Sequence, residues 1–164
     1  MAWSTTAPEL PSGSAWEQEK NISGAANHWR LTGKLYIARL NGRQFAIKAV
    51  LTSDNGEYGT YYPPSKWKLR CDIGGVTGTA DTSFDVVKGT TTFYFVGEAG
   101  EDVNITVKVG GVGDAVAVQT ATFTAPALFG DVLYLNVNGA AKQVTRVLLN
   151  VNGTAKEALV KANP

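Results

Sequence analysis

The chain has 164 residues, 44% of them hydrophobic, which suits one β-domain plus appendages. Its 18 glycines, with abundant Thr, Val and Ala and a single Met, describe strands joined by tight turns, and no long charged helical stretch occurs. The net charge of +1 offers no overall field to attract a polyanion, and Cys71, the sole cysteine, excludes an intrachain disulfide and fits intracellular synthesis.

The first residues, Met1-Ala2-Trp3-Ser4-Thr5-Thr6-Ala7-Pro8, carry neither a basic n-region nor an apolar h-region, so they do not read as a signal peptide. No apolar run approaches the length of a membrane span. Residues 1–27 are rich in Ser, Thr, Ala and Pro yet hold Trp3 and Trp16. Disordered tails rarely carry such rings, so this segment reads as an extended arm laid on a surface, with the indoles as anchors. Residues 28–53 carry the clearest hairpin, in which Leu35, Ile37, Phe45 and Ile47 alternate with polar neighbours around Asn41-Gly42. A loop follows at 54–59, and Pro63-Pro64 blocks regular pairing. Trp67, Leu69 and Cys71 then alternate with Lys66, Lys68 and Arg70, as in a strand with one buried and one wet face.

Residues 74–82 read as a Gly/Thr-rich connection. Ser83–Val87 and Thr90–Val96 read as strands bent about Lys88-Gly89, and residues 98–102 as a turn. Val103, Ile105, Val107 and Val109 alternate with polar residues, and Val116–Thr124 reads as the last strand. This spacing predicts an all-β antiparallel sandwich, jelly-roll or Ig-like, over 28–126, between the arm (1–27) and a C-terminal extension (127–164).

Charge is unevenly distributed. Residues 30–70 hold eight basic side chains against Asp54 and Glu57, giving +6; residues 71–131 hold eight acids against Lys88 and Lys108, giving −6. Either the two segments end on different faces, so that copies meet with complementary fields, or they intertwine in one sandwich and average out. The second reading is the one expected.

Little catalytic chemistry is present in the pattern. His28 is the single histidine, which excludes a His-based triad or a multi-His metal site. Cys71 reads as a core residue beside Trp67 and Leu69. Glu98, Glu101 and Asp102 resemble paired carboxylates but read better as a solvated turn. Asp54-Asn55-Gly56-Glu57 has oxygens for Ca²⁺ but reads as a turn, so neither metal nor cofactor is expected. The aromatic set Trp29, Tyr58, Tyr61, Tyr62 and Trp67 forms the candidate binding surface, because flat rings beside polar loops stack on sugars and anchor protein interfaces. The competing role is structural: Trp29 and Trp67 fill the core, the favoured reading for both, and the tyrosines cover its edge.

The extension is a tandem repeat. Leu133-Tyr134-Leu135-Asn136-Val137-Asn138-Gly139-Ala140-Ala141-Lys142 recurs 14 residues later as Val147-Leu148-Leu149-Asn150-Val151-Asn152-Gly153-Thr154-Ala155-Lys156. Each copy has an apolar run, an Asn-Gly tip suited to a type I′ turn, and a polar return. Such units need a neighbour to bury their apolar faces. The motif resembles the Tyr-x-Gly-Val-Asn-Gly-x-Ala-Lys repeats of structural proteins of tailed bacteriophages of Gram-positive bacteria, with Asn136 and Asn150 in place of the Gly before Val. The resemblance covers about residues 133–158. It implies a non-enzymatic structural or capsid-decoration subunit, head- or tail-associated, synthesised in the bacterial cytoplasm and residing in the virion. Its partners would be copies of itself and other virion proteins, with no direct nucleic-acid contact and no membrane insertion. The residues expected to carry assembly are Trp3, Trp16, Tyr134, Leu135, Val137, Leu149 and Val151. The alternative is a receptor- or carbohydrate-binding module of a fibre or tail tip that takes a host-surface glycan through Trp29, Tyr58, Tyr61 and Tyr62.

Overall fold

Tight Gly-containing turns divide the alternating segments into antiparallel strands. In a computed structural model, residues 2–26, 28–57, 59–61, 65–112, 118–128, 134–137, 140–143, 147–151 and 154–158 are described. Among them every regular element is a strand: β1 (Glu17–Ala26), β2 (Trp29–Arg39), β3 (Gln44–Asp54), β4 (Lys66–Ile73), β5 (Val76–Asp85), β6 (Gly89–Glu98), β7 (Asn104–Val112), β8 (Gln119–Thr124), β9 (Tyr134–Val137), β10 (Ala140–Gln143), β11 (Val147–Val151) and β12 (Thr154–Ala158).

The first eight form two four-stranded antiparallel sheets. Sheet A runs β1-β2-β3-β6 and sheet B runs β5-β4-β7-β8. Lettering β2 to β8 as A, B, C, C′, E, F and G gives A-B-E against C′-C-F-G. That is an Ig-like Greek-key order rather than a jelly roll, with β1 added outside A. The core is the set of inward positions set by the two-residue period: Leu35 and Ile37 on β2, Phe45 and Ile47 on β3, Phe95 on β6, Leu69 and Cys71 on β4, Val107 on β7 and Phe123 on β8. Burying each large side chain contributes about 1.5–3 kcal/mol. Ig domains pack a strand-C Trp on an inter-sheet disulfide. Here Trp67, also on strand C, meets Trp29 edge-on with ring centroids 5.2 Å apart.

Two of the hairpin turns solve the chain reversal differently. Between β2 and β3, Gln44 N–H donates to Asn41 O and Leu40 N–H donates to Gln44 O, so two residues oppose one in a small bulge. Within this turn Gly42 takes a positive φ of 55° while Arg43 does not, the pattern of a II′ turn. Between β4 and β5, Gly74 (φ 62°) and Gly75 (φ 78°) are both left-handed between the paired Ile73 and Val76, as in type I′. This second turn overturns the expected 74–82 connection. Strand β5 starts at Val76, because two consecutive glycines make a complete turn and the Thr-rich segment after them is an extended edge strand.

The arm is also shorter than the sequence suggested. Residues 17–26 pair with β2 as an edge strand of sheet A. Within this polar stretch Ile22 is the buried apolar residue, too little to produce a readable alternation.

Candidate assembly surfaces

Residues 2–16 are fastened to sheet A of the same chain. Ser4 makes an isolated bridge to Tyr94 on the free edge of β6: Ser4 N–H donates to Tyr94 O (2.8 Å) and Tyr94 N–H to Ser4 O (2.7 Å). Neighbouring Trp3 turns inward and lies 5.5 Å from the Phe95 ring, only 5% exposed. Further along, Ser12 and Gly13 are the central residues of a turn in which Ser14 N–H donates to Pro11 O, with Gly13 at φ 85°. The Ser14 hydroxyl donates to Arg39 O.

Trp16 then lies on the outward face of sheet A, 6.0 Å from the Tyr94 ring. The Lys48 ammonium sits 5.8 Å from the Trp16 ring centroid and 5.5 Å from that of Tyr36, close enough for cation–π attraction. On the same face, Glu19 accepts from Lys34 Nζ and Tyr36 Oη, both at 2.8 Å. Those donors, Lys34 first, hold its carboxyl below the usual range. Ala38 and Ala46 also point outward, yet both are buried. The arm is pinned to this sheet at Ser4, Ser14 and Trp16. Thus Trp3 and Trp16 are anchors, and the surface they anchor to is the chain's own sandwich.

A buried arginine gathers the neighbouring loops. Arg39 lies at an inward β2 position in line with Leu35 and Ile37, 2% exposed. Its Nε donates to Pro126 O (3.0 Å), Nη1 to Arg43 O (2.9 Å) and Ala99 O (3.0 Å), and Nη2 to Gly100 O (3.2 Å) and to Pro126 O. All five N–H directions therefore end on main-chain carbonyls. Burial pulls the guanidinium below its ordinary pKa, opposed by the charge of Glu101. The β2–β3 turn, the β6–β7 turn, the arm and the start of the extension all meet here. Gly13, Ser14, Ala15, Glu17, Pro126 and Ala127 line, with Arg39, an adjoining cavity of about 310 Å³.

One side of the sandwich is closed by a side chain imitating a strand. The Gln18 amide donates from Nε2 to Thr124 O (2.7 Å) and accepts from Thr124 N–H at Oε1 (3.1 Å), joining β1 to β8 across the sheets. Gln18 reaches it from φ 54°, a left-handed conformation uncommon for a residue with Cβ. On the opposite side Phe84 and Phe93 pack 4.3 Å apart.

The outward face of sheet B is ionic. Asp72 is 4% exposed and accepts from Arg70 Nε (3.1 Å), Lys108 Nζ (3.0 Å) and Gly78 N–H (2.9 Å). Burial alone would raise its pKa, but the Gly78, Lys108 and Arg70 donors prevail and hold it below the ordinary value. Lys68 pairs with Asp81 (2.8 Å) and Lys66 with Asp85 (3.7 Å). The basic strand β4 thus lies against the acidic strand β5, and the charges of these two strands pair within one face.

The candidate chemistry disperses. Trp29 is fully buried and is therefore removed from the binding set: it faces Trp67 in the core, the role the alternation favoured. Tyr61 is half-buried, with its hydroxyl 2.6 Å from Ser53 Oγ and its ring under Lys88 Nζ at 5.7 Å. Tyr58 and Tyr62 lie outside the described residues. Cys71 is buried, and burial followed by the charge of Asp72 pushes its thiol up to about 12. Glu101 accepts from Leu128 N–H (3.1 Å), and Asp102 is a turn residue with φ 57°. Asp54 caps its own turn through Gly56 N–H (2.6 Å) and pairs with Arg30 (3.1 Å).

The extension forms two hairpins, β9–β10 and β11–β12. Val137 pairs Ala140 and Leu135 pairs Lys142 in the first; Val151 pairs Thr154 and Leu149 pairs Lys156 in the second, so the pairing repeats with the sequence. The side chains of Tyr134, Leu135, Val137, Leu149 and Val151 lie outside what the structure describes.

Arg39, Gln18, Asp72 and the Tyr36–Lys48–Tyr94 row were not singled out from the sequence. Arg39 had a readable signal, a charge at an inward position of an apolar strand; the others depend on cross-strand neighbours.

No protein-family model, curated protein or solved structure matches the chain. Among the described residues no helix is long and apolar enough to cross a membrane.

Proposed function

We propose that this chain is a non-enzymatic structural or decoration subunit of a bacteriophage particle, associated with head or tail, which works by assembling with copies of itself and with other virion proteins. The observation that carries this reading is the pair of in-register hairpins at the C-terminus. Each is a two-stranded sheet with no third strand among the described residues. Isolated two-stranded ribbons are marginal in water, and their open edges recruit further strands. The resemblance of the repeats to phage structural proteins supplies the setting. The glycan-binding alternative loses support because Trp29 is in the core and Tyr61 is engaged with Ser53.

The reading is tested by comparing the full chain with one lacking residues 130–164, by light scattering and near-ultraviolet circular dichroism. The shortened chain is expected to keep its aromatic signal and to lose the higher-mass species. Equal assembly by both forms would remove the extension from the proposal. Mass spectrometry of purified particles from the encoding phage or prophage should detect the chain, and its absence would overturn the virion assignment.

A further inference from the structure

We propose that residues 2–16 form an exchangeable strap: in the assembly, the strap of one copy occupies the β6 edge and outward face of sheet A of a second copy, through the contacts it makes within one chain. The inference rests on the assembly reading above and names the second copy as the partner.

Four features of the strap support exchange over permanent docking. Its first anchor is a single bridge, Ser4 to Tyr94, on a strand edge with no other partner among the described residues, so main-chain pairing there needs no particular donor chain. The second is Trp3, whose indole is buried while its Nε1–H has no acceptor among the described residues. An unpaired buried donor weakens the docked state relative to its apolar burial.

The third is the jointed connection, with Pro8, Pro11 and the left-handed Gly13 lying between the two indoles. The fourth is the strained residue where the strap becomes a strand. Gln18 stands at φ 54°, next to the register shift between Glu17 and Lys20. Strain at a hinge favours swapping, because a straightened hinge relieves it while every docking contact is reproduced on the neighbour. The receiving surface suits a strap from either source, since Ala38 and Ala46, small outward-facing residues, are buried on it.

Docking within one chain has the advantage of an effective concentration in the millimolar range, so exchange prevails only when copies are comparably concentrated, as in a particle. The test uses the full chain carrying Ser4→Cys and Tyr94→Cys. The two residues exchange both main-chain hydrogen bonds, a pair whose Cα atoms lie about 5.5 Å apart and within disulfide reach. Buried Cys71 does not compete.

The protein is refolded at about 1 mM, oxidised, and separated without reductant. Exchange gives covalent dimers or longer multiples. Mixing the two single variants, Ser4→Cys and Tyr94→Cys, gives a disulfide between unlike chains. Single-chain mass throughout, or no disulfide at all, overturns the proposal. If higher-mass species form by light scattering while every disulfide stays within one chain, exchange fails and assembly stands. If no higher-mass species forms under any condition, the assembly reading itself fails.

Discussion

The outward faces of the two sheets share a backbone geometry but reach solvent by different routes. Sheet B displays charges and neutralises them locally, with β4 cations against β5 acids and Asp72 held by three donors. Sheet A displays aromatic rings and two buried alanines, and a segment of its own chain is attached to it. Ionic pairs satisfy a face without recruiting anything else. An apolar face with small side chains stays unfinished until a segment covers it. The difference marks sheet A as the face that takes a segment from outside the sandwich and sheet B as the face satisfied by its own ion pairs.

The contrast breaks first at Trp3. Trp3→Ala is expected to destabilise by about 3 kcal/mol, since a buried indole leaves a cavity beside Phe95. Urea unfolding measures the loss, and amide exchange of Ala38 and Ala46 should accelerate as the strap lifts. A loss under about 0.5 kcal/mol, the range of ordinary surface changes, would mean that the strap is not part of the core.

On sheet B, Asp72→Ala is expected to destabilise by about 2 kcal/mol, because the Gly78 N–H loses its acceptor and two cations lose their partner. Asp81→Ala breaks an exposed pair and should change stability by less than about 1 kcal/mol. Equal effects from the two substitutions would refute the special position of Asp72.

The same group predicts a pH dependence. The folded-state pKa of Asp72 lies below its ordinary value of 3.8, so its contribution is fully present above that value and is lost as pH falls through the folded value. Unfolding midpoints followed from neutral pH to about pH 2 should fall more steeply for the natural chain than for Asp72→Asn. Parallel curves would show that Asp72 titrates alike in folded and unfolded states.

Trp16→Ala should cost less than Trp3→Ala, about 1 kcal/mol, because its ring is half-exposed and held by Tyr94 and Lys48. Its fluorescence should be partly quenchable where that of Trp3 is not. Equal quenching of both would erase the distinction between the inner and outer anchors.

Much of this architecture was legible in particular residues. The Leu35–Ile37 and Phe45–Ile47 alternation located β2 and β3, Trp67–Leu69–Cys71 located β4, and the Asn-Gly repeats located both terminal hairpins. Strand β1 was not legible, because an edge strand with Ile22 as its buried apolar residue carries almost no period. The β5 start was hidden because Thr and Gly in sequence read as connection, and pairing with β4 makes them a strand. The surfaces were least legible. Tyr36, Lys48 and Tyr94 become a row only through the β2–β3–β6 register, which brings together residues far apart in sequence. Arg39 is intelligible only once three separate segments, the β2–β3 turn, the β6–β7 turn and the chain after β8, offer their carbonyls.

The smallest expected effect is at Glu19, and it sharpens the comparison most. Glu19 and Asp72 both have lowered pKa values and both accept from side-chain donors, so contact lists make them alike. They differ in exposure: the Glu19 side chain is 41% exposed and Asp72 is 4%. Water and salt screen the first pair, while the second is shielded by Arg70, Lys108 and the Gly78 loop. Glu19→Gln should therefore leave the unfolding midpoint almost unmoved at low salt and indistinguishable at high salt. Asp72→Asn should keep its effect in both. If the two substitutions respond alike to salt, burial does not separate the two faces, and the outward side of sheet A is stabilised by charge as much as by its strap.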